Sequence, residues 1–265
     1  MSVIDELNGG SIYKFTSANA NAANGNAYFA AGQTSVLRVG DGAVAGATGS
    51  ASWIALTDAN GVGLPGTLNY LATGHLDARG TTDLATFKGT NYDRPEDLEI
   101  QTLADGSQKL YVVTTGTHQV FSLDLNTNAV SLFASRNTLN ALTNTPVGTQ
   151  FANPDNLAID ADGNIYIIED QPGGAADIWF AKDTNRDGIA DSLGRWASLS
   201  TPGAEPTGLY FDKFDPNIAY LNVQHPTGGD DRLLQITAVP EPETYAMMLA
   251  GLGLMGFVAR RRKAN

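Results

Sequence analysis

The chain repeats a pattern of short apolar stretches separated by polar turns. Three segments with a Pro-containing polar turn and apolar residues two apart align by eye: 94–100, 153–159 and 205–211. Each is followed by turn residues and then by a second apolar run with tyrosine at the same place: 110–113, 165–168 and 219–222. A third run follows in each copy: 119–123, 177–180 and 232–236. This alternation with a period of two predicts three or four antiparallel strands per copy.

The spacing of the copies predicts the fold. Pro95, Pro154 and Pro206 are separated by 59 and 52 residues. Units of this length with several antiparallel strands are typical of β-propeller blades. A β-sandwich is the alternative, but a sandwich does not need Pro-acid turns repeated in register. The sequence therefore predicts an all-β protein with a β-propeller over residues 1–238.

The first residues match the middle of a copy. Residues 3–6 match the end of a second strand, and residues 10–15 match a third strand. No basic or apolar leader precedes them, so we expect a propeller that is incomplete at its N-terminus, with coding sequence and a signal peptide missing upstream. The number of blades, and whether the ring closes, stay open.

The C-terminal tail has its own pattern. An uncharged stretch at 244–259 follows Val-Pro-Glu-Pro-Glu and precedes a basic cluster that begins with Arg260, Arg261 and Arg262. As a helix this stretch would be about 24 Å long, slightly short of the roughly 30 Å hydrocarbon core of a bilayer. Its apolar residues surround the helix, which favours a short transmembrane helix over an amphipathic one. The positive-inside rule keeps the basic cluster in the cytoplasm.

The triplet Pro240-Glu241-Pro242, the apolar stretch and the terminal basic cluster together resemble the PEP-CTERM sorting signal of Gram-negative bacteria. The resemblance implies recognition by an exosortase, which is expected to cleave near the triplet. It also implies an extracytoplasmic protein that is released or anchored at the cell surface, with the tail as a transient membrane anchor. Residues 239–265 are therefore predicted to be a sorting signal that is not part of the folded domain.

Composition excludes several function classes. The formal net charge is −12, and the part before Pro240 carries −14, so an affinity for nucleic acid is not expected. The chain has no cysteine, which excludes disulfides, thiolate zinc sites and a cysteine nucleophile. The sequence also lacks a Gly-rich phosphate loop and a serine elbow.

Carboxylates recur at the strand ends that a propeller gathers around its channel. The turns that enter the first strands carry Glu96, Asp97, Asp155, Asn156 and Glu205. The ends of the second strands add Glu169, Asp170 and Glu6. Like charges this close repel unless a cation neutralises them, and oxygen ligands suit Ca²⁺ or another hard metal. The alternative is that these are solvated turn residues.

A second candidate cation site is local. Asp183, Asn185, Asp187 and Asp191 place oxygen side chains at positions 1, 3, 5 and 9 of a loop with Gly188 at position 6. This is the first part of a calcium loop, although position 12 is a glycine instead of the usual glutamate. An ordinary Asp/Asn/Gly turn is the alternative.

The ordered segments 92–97, 153–157 with 168–170, and 205–208 with 222–226 resemble the PhoX-type alkaline phosphatases over roughly residues 9–236. The resemblance implies a β-propeller and a phosphomonoesterase that holds calcium and iron. It implies that Glu96, Asp155, Glu169 and Glu205 are metal-ligand positions. Arg94 would orient phosphate or pair with a neighbouring carboxylate. The resemblance also implies a cysteine among the iron ligands, which has no counterpart here. Calcium, which the oxygen ligands favour, is the predicted cofactor, and iron is implied only by the family.

Together these patterns predict an exported, calcium-binding, PhoX-like propeller whose family activity is metal-dependent hydrolysis of phosphomonoesters. Whether the chain is active without the missing upstream part stays open. The alternative is a non-catalytic propeller of the extracellular matrix, which binds glycans or proteins through its loops. Exosortase and the membrane are the expected partners of the tail, and a phosphoester is the expected substrate.

Overall fold

The prediction of an all-β protein is confirmed. A computed structural model describes residues 1–66, 70–170 and 175–238. The strands of these ranges are β1 (Ser2–Ile4), β2 (Ile12–Ser17), β3 (Gly32–Val39), β4 (Gly49–Ala55), β5 (Pro95–Thr102), β6 (Gln108–Thr114), β7 (Gln119–Asp124), β8 (Ala129–Ser135), β9 (Pro154–Ile159), β10 (Ile165–Glu169), β11 (Ala176–Lys182), β12 (Ser192–Leu199), β13 (Glu205–Phe211), β14 (Ile218–Gln224) and β15 (Arg232–Thr237). The α-helix α1 (Gly25–Phe29) has five residues.

None of the helices in the described ranges is long and apolar enough to cross a membrane. The predicted transmembrane helix at 244–259 lies outside the described residues, as do the sorting-signal residues Pro240, Glu241, Pro242, Arg260, Arg261 and Arg262.

The strands form four antiparallel units in chain order. We call β1–β4 unit 1, β5–β8 unit 2, β9–β12 unit 3 and β13–β15 unit 4. Strand β4 pairs with β8 through Gly49 with Val130 and Ser50 with Ala129, which joins units 1 and 2 into an eight-stranded sheet. The end strands of this sheet, β1 and β5, lie against each other, so the sheet nearly closes on itself. Units 3 and 4 form sheets of four and three described strands.

The three aligned copies correspond to units 2, 3 and 4. Their Pro-containing segments form the first strands β5, β9 and β13, and the tyrosine-containing runs form β6, β10 and β14. The second strand of one unit also lies against the first strand of the next, as β6 does against β9 and β10 against β13. Strand β1 lies against β5 in the same way, which agrees with its prediction as a second strand.

The second strands of units 2 and 3, β6 and β10, have uninterrupted apolar runs because both of their faces are buried. In β6, Leu110 and Val112 belong to a core shared with unit 1, whereas Tyr111 and Val113 belong to a core shared with unit 3. Strand β10 repeats the arrangement, since alternate residues face unit 2 and unit 4. Hydrophobic cores therefore lie between neighbouring units, which stack face to face.

The turns between first and second strands are set by aspartate and glycine. Asp105 accepts a hydrogen bond from the backbone N–H of Ser107 at 2.9 Å, and Gly106 between them has φ +83°. In unit 3, Asp160 accepts from the N–H of Asp162 at 3.0 Å, and Gly163 has φ +76°. The Asp side chain replaces a backbone acceptor, and glycine adopts the left-handed conformation without steric cost.

The core between units 2 and 3 predicts a difference between two leucines. Leu193 is fully buried in this core, whereas Leu142 is 93% exposed. We expect Leu193→Ala to lower the free energy of unfolding by about 2–5 kcal/mol, because it removes buried methyl groups and leaves a cavity. The control Leu142→Ala should change it by less than about 0.5 kcal/mol in the same urea titration. Equal effects of the two substitutions would contradict the packing described here.

Candidate functional site

Acidic side chains from four units meet where the first strands begin. Strand β9 lies between β5 and β13, and the second strands end at the same place. The acidic residues that influence one another's ionisation there are Glu6, Glu96, Asp97, Asp155, Asp170 and Glu205, which we call the carboxylate cluster. The structure thus brings together three of the four predicted channel ligands.

Two of these carboxylates occupy equivalent β-bulges. In β5, Pro95 pairs with Thr114 and Asp97 pairs with Val113, so Glu96 is an extra residue without a partner. In β9, the corresponding extra residue is Asp155, between Pro154 and Asn156. A bulge redirects the side chain that it inserts and bends its strand.

The residues that precede Pro95 and Pro154 have left-handed backbone conformations. Arg94 has φ +57° and Asn153 has φ +44°. Both positions immediately precede proline, which normally restricts the preceding residue to extended conformations. Such strain persists only where the surrounding structure enforces it, and it is frequent at functional sites.

Glu96 is a member of the cluster whose side chain is buried and paired with an arginine. Its side chain is 6% exposed, and its Oε1 lies 2.7 Å from an Arg94 nitrogen without hydrogen-bond geometry. Burial, followed by a hydrogen bond with Glu6, raises the pKa of Glu96 to about 7, although the positive charge of Arg94 opposes this shift. Arg94 therefore pairs with a neighbouring carboxylate, and it also lies 3.7 Å from Glu6.

Asp155 is surrounded by like charges. Burial raises its pKa to about 7, and repulsion from Asp170 and Glu205 adds to the effect. The Asn156 side-chain amide donates a hydrogen bond to Asp155 Oδ2 at 2.9 Å. Near neutral pH this carboxyl group is therefore poised between its neutral and charged forms.

Glu205 enters the cluster from unit 4. Its Oε1 accepts a hydrogen bond from the Gln224 side chain at 2.6 Å. Burial raises the pKa of Glu205, and contact with Asp170 contributes, whereas His225 opposes the shift. His225 thus lies close enough to the cluster to interact with Glu205.

Glu169, the fourth predicted ligand, has a different environment. Its oxygens accept hydrogen bonds from the N–H of Ala152 at 2.8 Å, the N–H of Asp177 at 3.0 Å and the indole of Trp179 at 2.8 Å. Burial raises its pKa to about 7. These three donors engage both oxygens, and the next residue, Asp170, is the one that interacts with Asp155 and Glu205.

The donor chemistry of the cluster fits a hard cation. All of its ligands are oxygens, several are held near one another against their repulsion, and Glu96 Oε1 is buried without a hydrogen bond. Within the described ranges, however, no three His, Asp or Glu side chains are placed closely enough to bind one ion as they stand. Coordination by three carboxylates therefore requires them to converge.

The predicted oxygens of the loop between β11 and β12 take part in hydrogen bonds within the loop, but in the described ranges no three of its acidic side chains are close enough to bind one ion. Asp183 is 6% exposed and accepts hydrogen bonds from the N–H of Asp187 at 3.2 Å and of Gly188 at 3.0 Å. Asn185 donates to Asp187, and Asp191 accepts from the N–H of Thr184. Gly188 has φ +89°, as a sharp turn at this position requires.

This loop also connects units 2 and 3. The Arg186 guanidinium donates to the carbonyl oxygens of Gly163 and Asp162 in unit 3. The Ser122 hydroxyl of unit 2 donates to the carbonyl of Gly188 at 2.6 Å. The loop is therefore held against both units.

Solved structures give only remote similarities. A protein of Bacteroides uniformis ATCC 8492, provisionally assigned as a 6-phosphogluconolactonase, is 10% identical, with 91% of this chain and 69% of that chain covered and a TM-score of 0.35. A protein of unknown function from Dyadobacter fermentans DSM 18053 is 12% identical, with 89% and 60% covered and a TM-score of 0.33. The PQQ-bound aldose sugar dehydrogenase of Streptomyces coelicolor is 11% identical, with 84% and 85% covered and a TM-score of 0.28. Similarity this low supports no conclusion about the chain.

Family profiles are more informative. No curated protein sequence matches the chain significantly. The profile of the PEP-CTERM protein-sorting motif matches residues 238–263, which confirms the predicted tail. The profile of alkaline phosphatase PhoX matches residues 4–227, which is most of the chain and includes the whole carboxylate cluster. The chain therefore belongs to the PhoX alkaline phosphatase family and carries a C-terminal PEP-CTERM sorting motif.

Proposed function

We propose that this exported PhoX-like protein binds Ca²⁺ at the carboxylate cluster and hydrolyses phosphomonoesters there. The observation that carries the proposal is the cluster itself. Buried carboxylates from successive units are held together with raised pKa values, two of them on equivalent bulges, within the region that matches PhoX. Perturbed carboxylates in one place are typical of functional sites.

The four units are, in this proposal, blades of a β-propeller that makes up residues 1–238. Each is an antiparallel meander, and each first strand lies beside the first strand of the next unit where both are described. Packing sheets face to face around an axis would place the first strands at a central channel. The cluster would then lie at one mouth of this channel.

The residues of the cluster have separate parts in the proposal. Glu96, Asp155 and Glu205 would bind the cation, and Glu169 would support them from its network of N–H donors. Arg94, whose side chain is 40% exposed, would contact a phosphoryl oxygen while paired with Glu96. The bound metal would polarise the phosphoryl group and stabilise its developing negative charge. The family resemblance also implies iron, and the activity assay described below therefore includes a sample with added iron.

The tail accounts for where the protein acts. The PEP-CTERM motif implies recognition by an exosortase and supports an extracytoplasmic location in a Gram-negative bacterium. We further propose that the apolar stretch at 244–259 is a transient membrane helix that holds the protein until the exosortase acts.

Raised carboxylate pKa values make the metal-free protein less stable as pH rises. Glu96, Asp155 and Glu169 favour the protonated form in the folded state, so folding is stabilised at pH 4.5 and this contribution is lost as the pH rises through about 7. We expect the melting temperature without metal to fall between pH 5 and pH 8. Calcium should raise it most at pH 8, because protons no longer compete for the carboxylates.

Two variants make this pH experiment specific. Glu96→Gln should flatten the pH dependence without metal and weaken the calcium response at pH 8. Asp105→Asn changes an exposed turn carboxylate that lies outside the cluster and should leave both unchanged. A melting temperature that rises steadily from pH 5 to pH 8 in chelator would contradict the assignment.

Activity separates the enzyme from the matrix-binding alternative. With calcium supplied at alkaline pH, with and without iron, we expect hydrolysis of a simple aryl phosphate that chelator abolishes. Glu96→Gln or Glu205→Gln should lower kcat by at least about 100-fold with the fold retained, since each removes a proposed metal ligand. If the folded protein binds calcium but neither metal supports turnover, the non-catalytic propeller is the better explanation.

The loop at 183–191 is proposed as a second calcium site. Calorimetry should then detect a calcium-binding event that Asp187→Ala removes and that Glu96→Gln leaves in place. Because the loop contacts units 2 and 3, filling this site should also slow exchange of the Gly188 amide. Asp212→Ala, in another exposed Asp turn, is the matched control. Unchanged calcium binding in Asp187→Ala would exclude this site.

A further inference from the structure

Side chains of unit 2 hold the main chain on both sides of Asp155. The three hydrogen bonds are Thr115 Oγ1 to the Pro154 carbonyl at 2.8 Å, the Asn153 N–H to His118 Nδ1 at 2.9 Å, and the Leu157 N–H to Asp97 Oδ2 at 2.8 Å. Asp155 itself is the extra residue of a bulge and has no partner across the ladder with β10. Its direction therefore depends on the flanking main chain, which unit 2 fixes.

Both carboxylate oxygens of Asp97 already accept hydrogen bonds from the main chain. Its Oδ1 accepts the N–H of Leu98 at 2.7 Å, and its Oδ2 accepts the N–H of Leu157 at 2.8 Å. The second bond crosses from the first strand of unit 2 to the first strand of unit 3. A cation at either oxygen would have to share it with a backbone N–H, which makes Asp97 a poorer ligand than a carboxylate with a free oxygen.

The corresponding residue of unit 3 makes a similar link to the next first strand, one residue earlier along that strand, with an uncharged side chain. Asn156 Oδ1 accepts the Thr207 hydroxyl at 2.5 Å and the Gly208 N–H at 3.3 Å, both on the first strand of unit 4. An amide oxygen thus does for units 3 and 4 what a carboxylate oxygen does for units 2 and 3. What this position requires is an acceptor, and a negative charge is not essential.

We propose that Asp97 is a positioning residue, which fixes β9 through the Leu157 N–H and thereby directs Asp155 into the cluster without binding the cation itself. The proposal rests on the proposed function, since Asp155 acts there as a cation ligand. It divides the neighbouring acids of β5 into two roles: Glu96 binds the cation, and Asp97 aligns the next unit.

Three variants of the full chain test this division of roles. Asp97→Asn keeps an acceptor oxygen, as Asn156 does naturally, and Asp97→Ala removes it. Glu99→Gln removes one negative charge from the same strand and calibrates the purely electrostatic effect. Calcium affinity is measured by calorimetry, and exchange of the Leu157 amide is measured by NMR in chelator.

The expected loss of calcium affinity is small for Asp97→Asn and large for Asp97→Ala. Asp97→Asn should bind calcium within about threefold of the parent protein, as Glu99→Gln does, and should keep the Leu157 amide protected. Asp97→Ala should lose about tenfold in affinity and expose this amide about tenfold more, which corresponds to one ordinary hydrogen bond. If Asp97→Asn binds as weakly as Glu96→Gln, Asp97 is a ligand and the proposal is wrong.

Calcium affinity and Leu157 amide exchange test different parts of the proposal, so one can be decided when the other cannot. Should Asp97→Ala not fold, the affinity of Asp97→Asn still decides between a ligand and a positioning residue. Should the parent protein bind no calcium, the proposed function fails, but amide exchange still tests the link between the strands. Protection of Leu157 that is kept in Asp97→Asn and lost in Asp97→Ala supports the link. Equal protection in the parent and both Asp97 variants overturns it.

Discussion

Burial of both faces of β6 and β10 is the constraint on which the rest of this structure depends. Strands β6 and β10 place alternate residues in two different cores, so neither strand is satisfied by its own unit. Units 2 and 3 therefore each need a neighbour on either side, and the units stack. Stacking brings the first strands β5, β9 and β13 side by side, and the acidic turns that precede them are gathered as a consequence.

Gathering carboxylates in this way opposes folding, and the structure limits the penalty locally. The pKa values of Glu96 and Asp155 are raised to about 7, so protonation relieves part of the repulsion. Arg94 supplies a positive charge beside Glu96, and Gln224 donates to Glu205. None of these contacts supplies the two positive charges that a divalent cation brings, which is why a cation is the natural complement of the cluster.

The strands could be predicted from the sequence because alternation and turn residues are local signals. Tyr111 and Tyr166 recur in equivalent runs, and Asp105 and Asp162 mark equivalent turns, so the copies align without any structure. The site was only partly predictable. Glu169 and Asp170 are adjacent acids, and only packing against Trp179 decides that Glu169 is held by N–H donors while Asp170 interacts with the cluster. The bulges are equally invisible, since a single unpaired residue leaves no compositional signal.

The carboxylate cluster depends both on residues that are equivalent in the repeated units and on residues that differ between them. Units 2 and 3 place Glu96 and Asp155 on equivalent bulges, but the equivalent residue of unit 4 is Thr207, which pairs regularly with Asn222. Unit 4 contributes Glu205 instead, at the position where units 2 and 3 have the left-handed Arg94 and Asn153. Identical units would have produced a symmetric ring of equal charges. The residues before the three prolines differ instead. They place a positive charge near Glu96, an amide near Asp155 and, in unit 4, a carboxylate two residues before Thr207. If the cluster binds a metal as proposed, such an uneven set of side chains would hold it from one side and leave the opposite side accessible to an anionic substrate.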